Sequence, residues 1–427
     1  MDMKKVLIVS YNFPPCIYIG SQRPYRLSKS LPASGWEPVI LTTRTEGERL
    51  PGCRVIETDY DDVIKSLKSK LGFDRNKSLH DQVGIDITKK EYAYPGLKSK
   101  FIKFFKEIVA LPDDRIGWYK HAVKSASELM RTEKIDALIT TSYPETAHLV
   151  GRALKKEFNV PWVADLRDLW TQNHYYGKYP VVKYIEEKIE ARTLSFADTL
   201  VTVSEPLAAI LRSFHRNKKV VCVTNGYDDD DFPEIKGGLT DKFTITYTGT
   251  LYTGRRDPSS LFRAVRDLIA EGKIKKERME IRFFVERDEW LHKEAARYGL
   301  EDVVAINGFV PRPEALRMQQ ESQALLLLLW DNPKEEGVYT GKLFEYLGSR
   351  RPIIAVGGTG GVVRELLETT GAGRFAADEG SLKDVLWQYY REYSESGEVK
   401  SKSNSTIGSY SYRSIARKYS EVLDEIV

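Results

Sequence analysis

Short apolar runs alternate with helix-length periodic segments along nearly the whole chain, and this rhythm restricts the fold more than any single motif. Strands buried on both faces of a parallel sheet read as continuous apolar runs, with the crossover helices between them. In the first half the pattern predicts strands at 6–9, 38–42, 135–140, 162–165, 199–203 and 220–223. Helices are expected near 24–33, 117–132, 145–157, 180–196 and 205–214. Residues 59–110 break the rhythm; they are polar and lysine-rich and read as an insertion or irregular helical lobe. Asn225-Gly226 marks a turn and Asp228 to Lys242 an acidic, glycine-containing linker. A second α/β series follows, with strands at 243–249, 280–285, 303–307, 324–330 and 352–356. Asp257-Pro258 is read as an N-cap with proline at the first helical position, opening a helix that runs to about Glu271. Residues 395–408 read as a mobile serine- and lysine-rich segment, and 411–426 as a last helix.

The expected division is therefore an N-terminal Rossmann-like domain over 1–228, a linker over 229–242 and a C-terminal Rossmann-like domain over 243–408. A C-terminal helix over 409–427 is expected to return towards the first domain. Two doubly wound domains facing each other would turn the carboxyl ends of their strands, where open α/β sheets bind ligands, towards a common cleft.

Composition narrows the function. At 427 residues the chain exceeds a single core. Its 65 basic against 61 acidic side chains give a net charge of only +4, too small for nucleic acid as the principal partner. Three scattered cysteines (Cys16, Cys53, Cys222) argue against a disulfide framework and for a reducing compartment. The first apolar run, Val6 to Val9, fits a buried strand better than a secretory segment, and the longest, Ala324 to Trp330, falls far short of a membrane span. A cytoplasmic protein, at most resting on the membrane's inner face, is expected.

Residues 337–361, GVYTGKLFEYLGSRRPIIAVGGTGG, carry the chemistry. Lys342 and Glu345, three positions apart, share one helix face, while Leu343, Phe344 and Leu347 cover the others. Gly341 leaves the helix start open, where free N–H groups and the dipole favour an anion. A lysine suits phosphate oxygens and a carboxylate suits a vicinal diol, so a nucleoside diphosphate fits this pair. The first strand of each half leads into an unusual loop. Asn12 to Ser21 is stiffened by proline and brings Gly20 to the next helix; Gly249 to Arg256 supplies Gly249, Thr250 and the cations Arg255 and Arg256. One arginine together with Lys342 would balance a diphosphate, each contact contributing roughly 1.5–3 kcal/mol.

Read together, these segments resemble glycosyltransferase family 4, nearly end to end outside 59–110. The similarity rests on VSYNFPP with Gly20, SGWEPVILTT, SYPETAHLVG at 142–151, PWVADLRDLW at 161–170, VTVSEPL at 201–207, TNGYDDDDF at 224–232 and the GKLFEYL helix. It is most like bacterial members that build surface polysaccharides. The resemblance implies a GT-B fold and a retaining, metal-independent hexosyltransferase-type enzyme that uses a nucleotide-diphosphate sugar and no cofactor. Its acceptor would be a lipid-linked or growing glycan. In that frame Glu345 holds the ribose, Arg255 (or Arg256) and Lys342 the diphosphate, and the backbone near Phe309 and Val310 the nucleobase. Gly249, Thr250, Gly337, Val338 and Leu343 complete the donor side, with Gly20 opposite. Gly337 stands where the family often has the first of two glutamates, with Glu335 and Glu336 just before it. Arg167 stands where many members have histidine, followed by Asp168. These two residues, with Arg23, His148 and Asp165, are the candidates for catalysis and for the acceptor side.

Three further features are weighed. His148 opens a helix, and a lone histidine there is more often packed or capping. Asp228 to Asp231 suits a solvated hinge better than a metal site, which needs strand-end rigidity. LKSKFIKFFKEIVAL at 97–111 suits equally a core-facing helix and one laid on an anionic membrane. Rival functions on the same architecture are a nucleotide-sugar epimerase and a non-catalytic nucleotide-sugar- or glycan-binding subunit. A dinucleotide-dependent oxidoreductase fits poorly, because NFPPCIYIG is not the compact glycine fingerprint.

Overall fold

A computed structural model describes residues 3–16, 19–47, 52–63, 97–233, 238–252, 255–286 and 289–427. The chain divides into two compact units, Met1–Val223 with Ala416–Val427, and Thr224–Ile415. The boundary thus falls after Val223, where the sequence reading had put it after 228.

In the first unit the order is β1 (Lys4–Val9), α1 (Gln22–Ser30), β2 (Trp36–Thr43), β3 (Arg54–Thr58), α2 (Leu97–Val109), α3 (Tyr119–Thr132) and β4 (Ala137–Thr141). It continues through α4 (Thr146–Phe158), β5 (Trp162–Leu166), α5 (Pro180–Leu194), β6 (Thr199–Thr202), α6 (Glu205–Phe214) and β7 (Lys219–Cys222). Among the described residues these strands form one parallel sheet in the order β3-β2-β1-β4-β5-β6-β7. The direction of progression reverses between β1 and β4, and Leu7, Ile8, Leu138, Ile139, Val163 and Ala164 fill its centre with almost no exposure. α4 packs so closely that a Cβ on Gly151 would lie 2.6 Å from the Trp162 ring.

The second unit repeats the plan with β8 (Phe243–Thr248), α7 (Ser259–Ala270), β9 (Met279–Phe284), α8 (Glu289–Arg297), β10 (Val304–Asn307), α9 (Arg312–Glu321) and β11 (Ala324–Leu328). Then come α10 (Gly341–Ser349), β12 (Ile353–Val356), α11 (Gly361–Thr370), β13 (Gly373–Ala376) and α12 (Glu379–Ser396); the last helix, α13 (Tyr412–Asp424), belongs from Ala416 onwards to the first unit. The order β10-β9-β8-β11-β12-β13 reverses between β8 and β11, the position at which doubly wound sheets take ligands.

Several expectations change. Strands β3 and β13 were not foreseen; both lie at sheet edges, where only half-burial is required and the apolar signal is weak. Asp257 caps the backbone of Ser259 at 2.8 Å, but α7 starts one residue later than expected, with Pro258 still outside it. The segment 395–408 is anchored: Val399 is fully buried, its carbonyl accepts from Arg351 at 2.8 Å, and Ile407 is buried as well. Nor is Asp228 to Asp231 solvated throughout, although Asp229 and Asp230 are exposed. Asp228 is buried, Asp231 pairs with Arg312 at 2.9 Å, and Phe232 lies against α10, 2.2 Å from where a Gly348 Cβ would stand. Most of 59–110 lies outside the described residues. Its final helix, α2, sets Phe104 edge-on to Tyr179 and leaves Phe105 and Ile108 partly exposed.

Candidate functional site

Tyr247, on β8 beside the reversal point of the second sheet, organises the most highly charged part of that unit. Its hydroxyl donates to the Thr250 carbonyl at 2.8 Å and accepts from Lys342 Nζ. The lysine ammonium also sits 3.7 Å from the centre of the Tyr247 ring. Gly249 makes this approach possible: it holds φ at +91°, and a Cβ there would stand 2.9 Å from Lys342 Cε. The same Thr250 carbonyl accepts from Arg256 Nη1 at 3.2 Å, while Arg255 stacks on Trp330 at 4.2 Å. Three cations therefore surround one loop. Burial, and next the Arg256 charge, press the Lys342 pKa down to about 6 against a partial opposing pull from Glu345. Such a lysine regains its proton when an anion arrives.

One turn along α10, Glu345 accepts from Arg312 Nε at 3.1 Å, and Arg312 reaches Asp231 at 2.9 Å with its other arm. Arg312 was not foreseen; in VPRPE it resembles any arginine opening a helix. Phe344 and Leu347 are buried, so the helix presents Lys342 and Glu345 on its free face. Leu343 does not belong with them: its side chain is fully buried and its N–H is bonded to Thr340 at 3.1 Å. The glycine-rich turn after β12 supports the neighbouring loop. The Val362 N–H donates to the Glu336 carbonyl at 2.9 Å, and a Cβ on Gly361 would collide with that oxygen at 2.3 Å. A small cavity there is lined by Arg256, Trp330, Glu335, Glu336, Val338 and Thr340, and the Thr340 hydroxyl is buried without a hydrogen-bond partner. Gly337 is buried within this loop. Past β10, Phe309 is 72% exposed and Val310 half-buried.

The first unit treats its candidates differently. Arg23 and Asp165 are almost wholly buried and joined by two hydrogen bonds of 3.1 Å. Arg23 also donates to the Val223 carbonyl and the Tyr419 hydroxyl, both at 2.8 Å, and Thr141 donates to Asp165 at 2.9 Å. Burial works against the Asp165 charge, but the Arg23 guanidinium outweighs it and holds the carboxyl below its ordinary range. This pair braces α1, β5 and α13 and faces no solvent. His148 is fully buried, 2.7 Å from the Thr140 hydroxyl, and burial lowers its pKa to about 4, so the ring is neutral. Arg167 donates to the carbonyls of Gly20, Ser142 and Tyr143, tying two loops together. Asp168 is exposed beside it.

Residues 90–231 match the model for Glycosyltransferase Family 4. No curated protein sequence matches the chain. Among solved structures, sucrose-phosphate synthase from Thermosynechococcus elongatus is 13% identical with a TM-score of 0.63, over 99% of this chain and 98% of its own. HepE from Anabaena in complex with UDP and glucose is 14% identical, with a TM-score of 0.54 over 99% of both chains. The lipopolysaccharide outer core galactosyltransferase WaaB is 13% identical, with a TM-score of 0.54 over the full length of both. At such identities these likenesses establish the fold, GT-B, with its two doubly wound units.

Proposed function

From a Glycosyltransferase Family 4 segment carried on a GT-B fold, we propose that the protein is a glycosyltransferase that takes its sugar from a nucleotide-diphosphate donor bound to the second unit. The observation that carries this reading is Lys342. A lysine with its pKa near 6, among two arginines at the reversal point of the sheet, is a site in want of a polyanion. Lys342, Arg255 and Arg256 would hold the diphosphate and, in the transition state, the charge that develops as it leaves. Glu345, kept in place by Arg312, would accept from the ribose hydroxyls. Phe309 and Val310 would border the base, and Gly337, Val338 and the unpartnered Thr340 hydroxyl the sugar. A solved structure of HepE holding UDP-glucose supports a donor of this class.

The reaction proposed is retaining and independent of metal. The leaving phosphate takes the acceptor proton at the front face, and these cations stabilise it. The acceptor is a growing or lipid-linked glycan of a bacterial surface polysaccharide, bound by the first unit. Among the described residues no helix is long and apolar enough to cross a membrane. Partly exposed Phe105 and Ile108, beside Lys103 and Lys106, support peripheral contact with an anionic surface.

The decisive experiment is a thermal-shift screen of UDP-, GDP-, ADP- and dTDP-sugars, followed by transfer assays on Lys342→Ala and Glu345→Ala. One nucleotide sugar should stabilise the protein, and each variant should lose turnover while staying folded. Unchanged transfer in either variant overturns the assignment.

A further inference from the structure

A second concavity lies wholly within the first unit. It holds about 440 Å³, the size of a small-molecule pocket. Its walls come from the end of α2, the Ser142–Glu145 segment after β4, and the loop between β5 and α5. All three lie beyond the carboxyl ends of β4 and β5, next to the reversal of strand order.

The wall is built to keep its shape. Glu186, buried on α5, accepts from Trp170 Nε1 at 2.7 Å, from the Tyr176 hydroxyl at 2.6 Å and from Lys178. One turn further, buried Glu190 accepts from the Thr171 backbone at 3.1 Å. Two carboxylates of one helix thus fasten the loop that carries Tyr175, whose ring remains 52% exposed. Across the pocket, Asp114 accepts from the Tyr143 hydroxyl at 2.7 Å, which orients a second partly exposed ring. Asp113 is occupied by the Thr146 N–H at 2.7 Å and the Arg115 N–H at 2.8 Å.

Glu145 is the exception. It stands at the N-cap of α4, yet its side chain makes no capping bond; the carboxyl takes its own backbone N–H instead, and burial together with the nearby Asp113 charge raises its pKa. A carboxyl withdrawn from bulk water in this way favours its neutral form, which can both accept from and donate to a ligand hydroxyl. The lining also selects against anions. Glu107, Asp113, Asp114 and Glu186 outnumber its lysines, and Lys178 is already paired with Glu186.

We infer that this pocket is a subsite for an uncharged sugar ring, which rests on Tyr143 and Tyr175 and donates hydroxyl hydrogens to Glu145. Aromatic faces suit the apolar C–H surface of a pyranose, and the Glu145 carboxyl suits its hydroxyls; a uronate or phosphorylated sugar would meet the like charge of the other acids. On the glycosyltransferase reading the occupant is a residue of the acceptor glycan, so the acceptor is anchored through a neutral unit.

Saturation-transfer NMR on the full chain tests this with the methyl glycosides of glucose, galactose, mannose and N-acetylglucosamine, and with glucuronic acid as the anionic control. At least one neutral glycoside should show transfer and glucuronic acid should not. Glu145→Ala and Tyr175→Ala should each weaken that signal at least tenfold, with the thermal shift given by UDP unchanged in both. Because the Glu145 carboxyl makes no capping bond to α4, its alanine variant should melt no lower than the parent. Absence of transfer to every neutral glycoside, preference for glucuronic acid, or undiminished binding in both variants overturns the inference. Failure of UDP to bind while the neutral glycoside still depends on Glu145 would instead overturn the donor assignment and leave a glycan-binding pocket.

Discussion

Lys342 shows how one residue can be destabilising and functional together. Its pKa falls from 10.5 to about 6 on folding, so between those values the unfolded chain holds a proton that the native chain lacks. Stability therefore rises as pH rises through that window, and the burden of the buried ammonium is greatest below pH 6. Lys342→Met should raise the melting temperature more at pH 5.5 than at pH 9; a difference independent of pH would contradict the depressed pKa. The same shift predicts that UDP binding near pH 8 takes up close to one proton, visible by calorimetry in buffers of different ionisation enthalpy and absent in Lys342→Met. Gly249→Ala should cost about 1–2 kcal/mol through its positive φ and lower donor affinity as well, because the new methyl displaces Lys342 Cε; denaturation midpoints and UDP titration separate the two effects.

At the scale of elements, the buried Arg23–Asp165 pair shows why charged residues near strand ends are hard to assign from sequence. Both were placed among the acceptor-side candidates, and the fold encloses both. Removing one partner leaves an uncompensated buried charge, so Arg23→Ala should lower stability by about 3–5 kcal/mol in urea titrations. Asp165 contributes through a folded pKa held below its ordinary value, so its share is present above that value and is lost as pH falls through the folded one. The central strands were legible because burial on both faces writes an unbroken apolar run, as in Ala324–Leu328. Edge strand β3 was not, since its residues are mostly half-exposed and alternate weakly. On α10 the pattern separated Leu343, Phe344 and Leu347 from Lys342 and Glu345; it was the family resemblance that counted Leu343 with the donor side.

For the whole molecule, the chain's last residues belong with its first. Ala416–Val427 completes the N-terminal unit, with Asp424 bound to Lys4 at 2.8 Å and Tyr419 to Arg23. Truncation after Ile415 should therefore reduce hydrogen-exchange protection in β1, β5 and α1, while β8 to β12 keep theirs; equal loss in both units would contradict that division. The alternation of strands and helices by itself determined two doubly wound units, because secondary-structure period and two-sided burial are local properties of sequence. It also put Lys342 and Glu345 on one face, since helical spacing needs no distant information. Which charges pair with one another was decided only by the tertiary structure. Arg23 meets Asp165 across 142 positions and Arg312 meets Asp231 across 81. Burial then fixed the outcome, neutralising His148 and closing Arg23 on Asp165, while the Glu145 carboxyl, at the start of α4, caps none of that helix's N–H groups.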